Sequence, residues 1–217
     1  MRWGLLRGES DEALHERLGR LREQTGRWLP RTDESRPRGG GVVFHPLTHA
    51  LVGWVVACFG RADRRTRLWC LAASLAPDLD GLSLLVGLDV YAHYHHLVLH
   101  NLLFGVFVTL VSAYWIGLRP FYLGLVLLAF LSHLVGDYFG SGPGWELWPF
   151  LPFSDRTYVC ECAWDLVSWQ NTLITVVAIA VTLWAAVRQG HTPLEFLHAR
   201  LEQTVVKTLQ RRWRRNA

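Results

Sequence analysis

This sequence is poor in charge. Asp, Glu, Lys and Arg supply 18% of 217 residues while hydrophobic residues supply 51%, which excludes an ordinary water-facing surface over most of the chain. The charges cluster at the two ends and in short connections between apolar stretches. No apolar core follows Met1. An acidic, arginine-rich segment fills the first 36 residues instead, so no secretory signal peptide is expected and membrane insertion is expected to rest on internal spans. Cysteine is limited to four. Cys58 and Cys70 fall inside apolar runs, where a small hydrophobe is the ordinary role. Cys160 and Cys162, one residue apart, lack the CxxC spacing of a redox or zinc motif and stand too close for an easy mutual disulfide in ordinary backbone. No repeat of solenoid period is present, and the length suits one domain.

The formal net charge of +4 would hint weakly at nucleic acid in a soluble protein. Here the arginines flank apolar runs, so the expected partner is a lipid bilayer and no nucleic acid is expected. Residues 10–28 place Leu14, Leu18, Leu21 and Trp28 at helical spacing with Arg17, Arg20, Arg22 and Arg27 among them. This is the pattern of an amphipathic helix on an anionic surface, or of a solvated helix. Pro37 and the glycines Gly39, Gly40 and Gly41 make a flexible joint. Three parts are therefore expected: residues 1–41, an amphipathic or flexible basic region; 42–188, a membrane-embedded domain; and 189–217, a basic tail. Within the domain, residues 97–118, 121–138 and 167–187 are long enough to span. Residues 47–60 and 68–76 fall short of the roughly 20 apolar positions a bilayer demands, so either polar groups enter the membrane zone or these helices are buried in a bundle.

Short connections make the segments antiparallel, and that gathers the polar residues at one end. His45 and His49 open the first segment, Asp78 and Asp80 follow the second, His93, His95, His96 and His100 open the third, and His133 and Asp137 close the fourth. The other end collects residues 61–67 with their arginines, Arg119, Arg188 and the basic tail. The positive-inside tendency makes that end cytoplasmic and the polar end outward-facing. The pairs His96/His100 and His133/Asp137 are i and i+4, which on a helix stacks both side chains on one face about 5–6 Å apart. Imidazole mixed with carboxylate fits zinc first, with manganese or iron as other candidates, and such an ion lowers the pKa of water to about 7. Asp78, Asp80, His96, His133 and Asp137 are the expected metal centre, with His49 and His100 ligating or supporting it, and Asp80 is the candidate general base. Taken singly, His45, His93 or His95 reads as an interfacial hydrogen-bonding residue and Asp80 as a cap or turn residue. His133 and Asp137 inside an apolar stretch are functional candidates by their cost alone. The expected fold is all-α, an integral membrane helical bundle of about four to five apolar helices with a metal site at one end. The rival readings are a non-enzymatic metal- or haem-binding membrane protein, a metal transporter, or a structural protein whose polar cluster is packing glue.

Thr48-His49-Ala50, Pro77-Asp78-Leu79-Asp80, His96 to His100, Ser132-His133-Leu134-Val135-Gly136-Asp137 and Trp148-Pro149-Phe150 together resemble the YdjM-like family of membrane-bound metal-dependent hydrolases, over residues 44–155. The resemblance implies an inner-membrane hydrolase acting on a phosphoester or lipid-like substrate. That family is distantly similar to the zinc-dependent phospholipase C and single-strand nuclease superfamily, an all-helical fold whose centre uses an Asp, a His and a later His-x-x-x-Asp. Carried over, Asp78 or Asp80, His96 and the His133/Asp137 pair would be ligands, and His49 an additional one. The trinuclear centres of that superfamily add a second His and a His-x-x-x-Glu downstream. This chain has only His191 and His198 after Asp137, so one or two metals are implied. The family shows His-Arg where this chain has His95-His96, so a cationic contact to an anionic substrate is missing or supplied from elsewhere.

Overall fold

The computed structural model describes residues 45–142 and 145–216. The expected amphipathic helix over residues 10–28 lies outside them, as do the side chains of His45 and His93. The described residues fall in the compact unit Gly40–Ala217 and form seven α-helices and two 3-10 segments. In order these are α1 (His45–Phe59), α2 (Arg64–Leu75), a 3-10 segment (Pro77–Leu85), α3 (Leu88–Tyr94), α4 (Leu102–Ile116), α5 (Pro120–Gly140), α6 (Trp169–Gln189), a second 3-10 segment (Pro193–Phe196) and α7 (Ala199–Asn216). Among the described residues the one extended pairing is an isolated bridge between Leu147 and Tyr158.

Local chemistry sets the helix ends. Asp63 caps α2 by accepting from the Thr66 N–H at 2.8 Å, and its other oxygen accepts from Arg119 at 2.9 Å, tying the α1–α2 turn to the start of α5. Asn101 caps α4 by accepting from the Phe104 N–H at 2.9 Å, and Ser168 caps α6 through the Asn171 N–H. Such caps satisfy N–H groups that the first turn leaves without partners. Gly117 and Gly190, at φ 78° and 80°, end α4 and α6 in a conformation that costs other residues a steric clash.

α5 and α6 each have 21 residues, with mean hydropathy 1.6 and 1.7, and at 1.5 Å per residue reach about 31 Å, enough to cross a hydrocarbon core. α2 and the 3-10 segment after it would make a third span, bent by 53°. The expectation of a span over residues 97–118 is corrected: the helix begins only at Leu102 and is 15 residues long. Asn101 caps it there, and His96 takes a left-handed φ of 70° that no helix contains. Residues 97–101 are turn instead.

α1 and α2, the short segments, are the buried ones. Trp54, Ala57 and Cys58 of α1 and Cys70 and Ala73 of α2 are fully or almost fully enclosed, together with Val126, Ala129 and Phe130 of α5. Gly53 makes the α1–α2 approach possible, since a Cβ there would stand 2.8 Å from the Cys70 carbonyl oxygen. The outward faces are apolar: Leu103, Val106, Phe107, Leu110 and Trp115 on α4, and Leu173, Val176, Val177, Leu183 and Trp184 on α6, are all exposed. Apolar surface continued along whole helices is untenable in water and suits acyl chains.

At the end away from the histidines, Arg67 is buried but fully engaged. Its Nε and Nη2 donate to both Glu195 oxygens at 2.8 Å, and Nη1 donates to the Ala62 carbonyl at 2.6 Å. This clamp ties the second 3-10 segment to α2. Glu202 of α7 then accepts from both the Thr192 N–H and its hydroxyl, so the C-terminal helix is held against the end of the bundle.

Candidate metal centre

Four elements meet at the histidine end. α1 supplies His49, the 3-10 segment Asp78 and Asp80, the turn over residues 95–101 His95, His96 and His100, and α5 His133 and Asp137. His49, His96, His100, His133, Asp80 and Asp137 are all buried, and Asp78 is partly so. The His133/Asp137 pair stacks on one helix face as its spacing predicts, with Nε2 to Oδ2 at 2.9 Å. His96 and His100 do converge, but not by helical stacking. The left-handed backbone at His96 folds the turn back so that both rings face α5, and the i, i+4 helix expected for them is replaced by this turn.

The tautomers give the arrangement its meaning. The His133 Nδ1–H donates to the Ser74 carbonyl at 2.7 Å. The His100 Nδ1–H donates to Asp80 Oδ2 at 2.9 Å. With both Nδ1 protons committed, the Nε2 atoms of neutral rings carry only lone pairs, yet they stand 3.2 Å apart and both touch Asp137 Oδ2, at 2.9 and 3.1 Å. Three Lewis bases in mutual contact need either a proton or a metal ion among them. A tetrahedral ion with ligands at about 2.0–2.1 Å has ligand–ligand edges of roughly 3.3 Å, and the three observed edges approach that value.

Around this triangle the donors continue. His49 Nε2 is 3.2 Å from Asp137 Oδ1, its ring stacked on His133 at 3.8 Å between centroids. Asp78 Oδ1 is 3.6 Å from His133 Nε2, and His96 Nε2 is 3.7 Å from Asp137 Oδ2. Three overlapping groups each bring their donor atoms within 4.8 Å of one another: His49, His133 and Asp137; Asp78, His100 and His133; and His95, His96 and His100. His96 Nδ1 and Asp78 Oδ2 are buried without a hydrogen-bond partner, a cost that a ligated ion would remove.

Protonation follows from the same contacts. Burial disfavours the His100 cation, but hydrogen bonds to the Asp137 and Asp80 carboxylates outweigh it and raise the pKa to about 9. Without a metal, a proton at His100 does the neutralising. His96 is pushed well below the usual histidine range, by burial first and then by His100, which keeps its ring neutral and able to ligate.

Asp80 is placed one imidazole back from the convergence point, accepting from His95 Nδ1 at 2.8 Å and from His100 Nδ1 at 2.9 Å. Sequence reasoning gave little weight to His95, which packs against His96 and against Trp145, and it missed Trp145, whose ring lies 5.0 Å from His96. The adjacent His95-His96 pair was the available signal for the first. His191 is remote from the centre, edge-on to Trp54 at the arginine end. Cys160 and Cys162 form a disulfide, against the expectation of none. A turn between them sets their Cα atoms 5.1 Å apart, within the usual range for a bridge.

Helices clothed in apolar side chains and a buried His/Asp cluster able to hold a metal ion define an integral membrane protein with a candidate metal centre at one end of its bundle. Over residues 44–210 the sequence matches the family described as YdjM inner membrane protein. The chain belongs to that family. No curated protein and no solved structure matches it.

Proposed function

We propose that this protein is a membrane-bound metal-dependent hydrolase acting on a phosphoester carried by a lipid-like molecule. The observation that carries the reading is the contact of His100 Nε2, His133 Nε2 and Asp137 Oδ2, with both Nδ1 protons directed away from it. These three residues would hold the ion, zinc first and manganese or iron on the same donor chemistry, with His49, Asp78 and His96 completing one or two positions. When bound, such an ion activates water and polarises the scissile group.

The chain's own residues do the rest. Asp80 fixes the tautomer and ring plane of His100 and holds His95 beside it, the role of a carboxylate behind a metal-ligating histidine. The Ser74 carbonyl does the same for His133. Asp78, partly exposed where Asp80 is buried and with one buried oxygen lacking a partner, is the better placed of the two carboxylates to take a proton from water. Support for a substrate within the bilayer comes from the segment that carries Asp78: Leu79, Leu82, Leu84, Leu85, Val86 and Leu88 are all exposed, Leu85 at 86%. An apolar rim beside a polar centre admits a molecule with an acyl chain on one side and a phosphoester on the other. The disulfide lies in the connection after α5, at the histidine end, and supports placing that end on the non-cytoplasmic side, where disulfides persist.

The test is elemental analysis of detergent-purified protein, wild type beside His133→Ala, followed by release of product from phospholipid in mixed micelles. One or two equivalents of zinc or manganese, lost in the variant, with chelator-sensitive hydrolysis, is the expected result. No metal above background after metal is added back would overturn the reading.

A further inference from the structure

The end of the bundle away from the histidines carries a second polar feature. A cavity of about 230 Å³ lies where α7 crosses the last turn of α6, lined by Val187, Arg188, Gln210, Trp213 and Arg214. Gln210 is fixed there by donating to the Val187 carbonyl at 3.3 Å. The cavity's described lining carries no acidic side chain, and two glutamates at this end of the bundle are already taken, Glu195 by Arg67 and Glu202 by Thr192. Neither Arg188 nor Arg214 makes an ion pair among the described residues. α7 as a whole sets six basic side chains against one acidic.

Depth decides what fills such a cavity. Among the described residues α6 is one of two helices long and apolar enough to cross a bilayer, so its last turn stands where hydrocarbon gives way to headgroups. A tryptophan and two arginines favour that layer. Two guanidinium forks offer paired N–H donors to phosphate oxygens, and the Gln210 amide adds a neutral contact. We propose that this cavity binds the phosphate of an anionic phospholipid in the leaflet away from the histidine centre, and that the lipid helps pin α7 across the end of α6. A zwitterionic headgroup is disfavoured because its ammonium would approach unpaired arginines.

The experiment is native mass spectrometry of the full-length protein in detergent, with dioleoyl phosphatidylglycerol or dioleoyl phosphatidylcholine added. Two arginine contacts at an anionic headgroup predict a preference on the order of thirtyfold for phosphatidylglycerol in the first lipid retained. Arg188→Gln with Arg214→Gln is expected to abolish the preference. Arg211→Gln with Arg212→Gln, removing the same charge outside the cavity, is expected to keep it. Equal loss in both double variants would show diffuse attraction rather than a site and overturn the proposal. So would displacement of the lipid by equimolar inorganic phosphate, which would make this a soluble-phosphate site, or by an equimolar short oligonucleotide. A single symmetric peak on size exclusion and a wild-type thermal midpoint show that each variant is folded, so that retained preference in Arg188→Gln with Arg214→Gln counts against the site.

Discussion

Replacing Asp80 by asparagine separates two roles that a carboxylate beside a histidine can have. Asp80 accepts from His95 with one oxygen and from His100 with the other. Asparagine keeps the shape and one accepting oxygen but turns the other position into a donor, so one of the two Nδ1–H groups must face an N–H. If His100 loses its acceptor, its ring is free to rotate or to change tautomer, and Nε2 no longer points steadily at His133 and Asp137. Loss of an orienting carboxylate of this kind weakens metal binding by about 10- to 100-fold, or ~1.4–2.7 kcal/mol. Loss of a ligand does more: His133→Ala removes one corner of the triangle and is expected to leave no stoichiometric zinc. The assay is competitive zinc titration of detergent-purified protein against a chromophoric chelator, for wild type, Asp80→Asn and His133→Ala. Zinc affinity of Asp80→Asn within about threefold of wild type would refute the orienting role, and loss as complete as that of His133→Ala would show that Asp80 is itself a ligand.

Other expectations follow from contacts elsewhere. Gly136→Ala would place a Cβ 2.9 Å from His49 Cε1 and push that ring off Asp137; zinc affinity should fall by roughly tenfold or more, while Gly124→Ala on the same helix, with nothing within 4 Å, should leave it unchanged. Glu195→Ala strands the buried Arg67 guanidinium, which costs about 3–5 kcal/mol, and the thermal midpoint in detergent should drop by on the order of 10 °C; a drop within experimental error would show the clamp to be dispensable. Asp63 is held below the usual carboxylate range: burial works against this, but hydrogen bonds from Thr66 and Arg119 outweigh it. Its stabilisation is therefore complete above the unfolded pKa of about 3.9 and lost as pH falls through the lower folded value. The difference in midpoint between wild type and Asp63→Asn should be flat from pH 8 to 5 and shrink below about pH 4.

The gathering of the site at one end was legible because it needs only the order of the segments and the rule that short connections reverse direction. His133 and Asp137 were legible because both lie within one regular helix, where spacing alone fixes geometry. The turn over residues 95–101 was not. Leu97, Val98 and Leu99 read as the start of the apolar run that continues at Leu102, and hydropathy has no way to register that His96 takes a left-handed conformation. Asn101 was the available signal, since an asparagine immediately before an apolar run is a good N-cap, but the run on its other side masked it. The Ser74 carbonyl that orients His133 has no signature in sequence, because every residue carries one. The role of Asp80 was hidden for a related reason: which carboxylate of the Asp78/Asp80 pair faces the centre depends on the 3-10 geometry of residues 77–85, where side chains two apart point in different directions.

The short helices and the metal centre have a common explanation. His133 and Asp137 stand 7 and 3 residues before the end of α5, roughly 10 and 4.5 Å along its axis, so a membrane-spanning α5 puts them below the headgroup layer. A buried carboxylate at that depth is unaffordable unless its charge is cancelled on the spot. α1 and α4 have only 15 residues each, and they leave room at this end for the 3-10 segment and the turn over residues 95–101 to bring imidazoles to Asp137. Two of the carboxylates, Asp78 and Asp137, match the charge of one divalent ion, while Asp80 is satisfied by the two N–H groups it accepts from. Without an ion, a proton at His100 does the neutralising. If the centre holds a metal, its occupancy and the integrity of this end of the bundle form one equilibrium: stripping the ion is then expected to loosen the turn that carries His95, His96 and His100, because a proton at His100 replaces only part of the ion's charge.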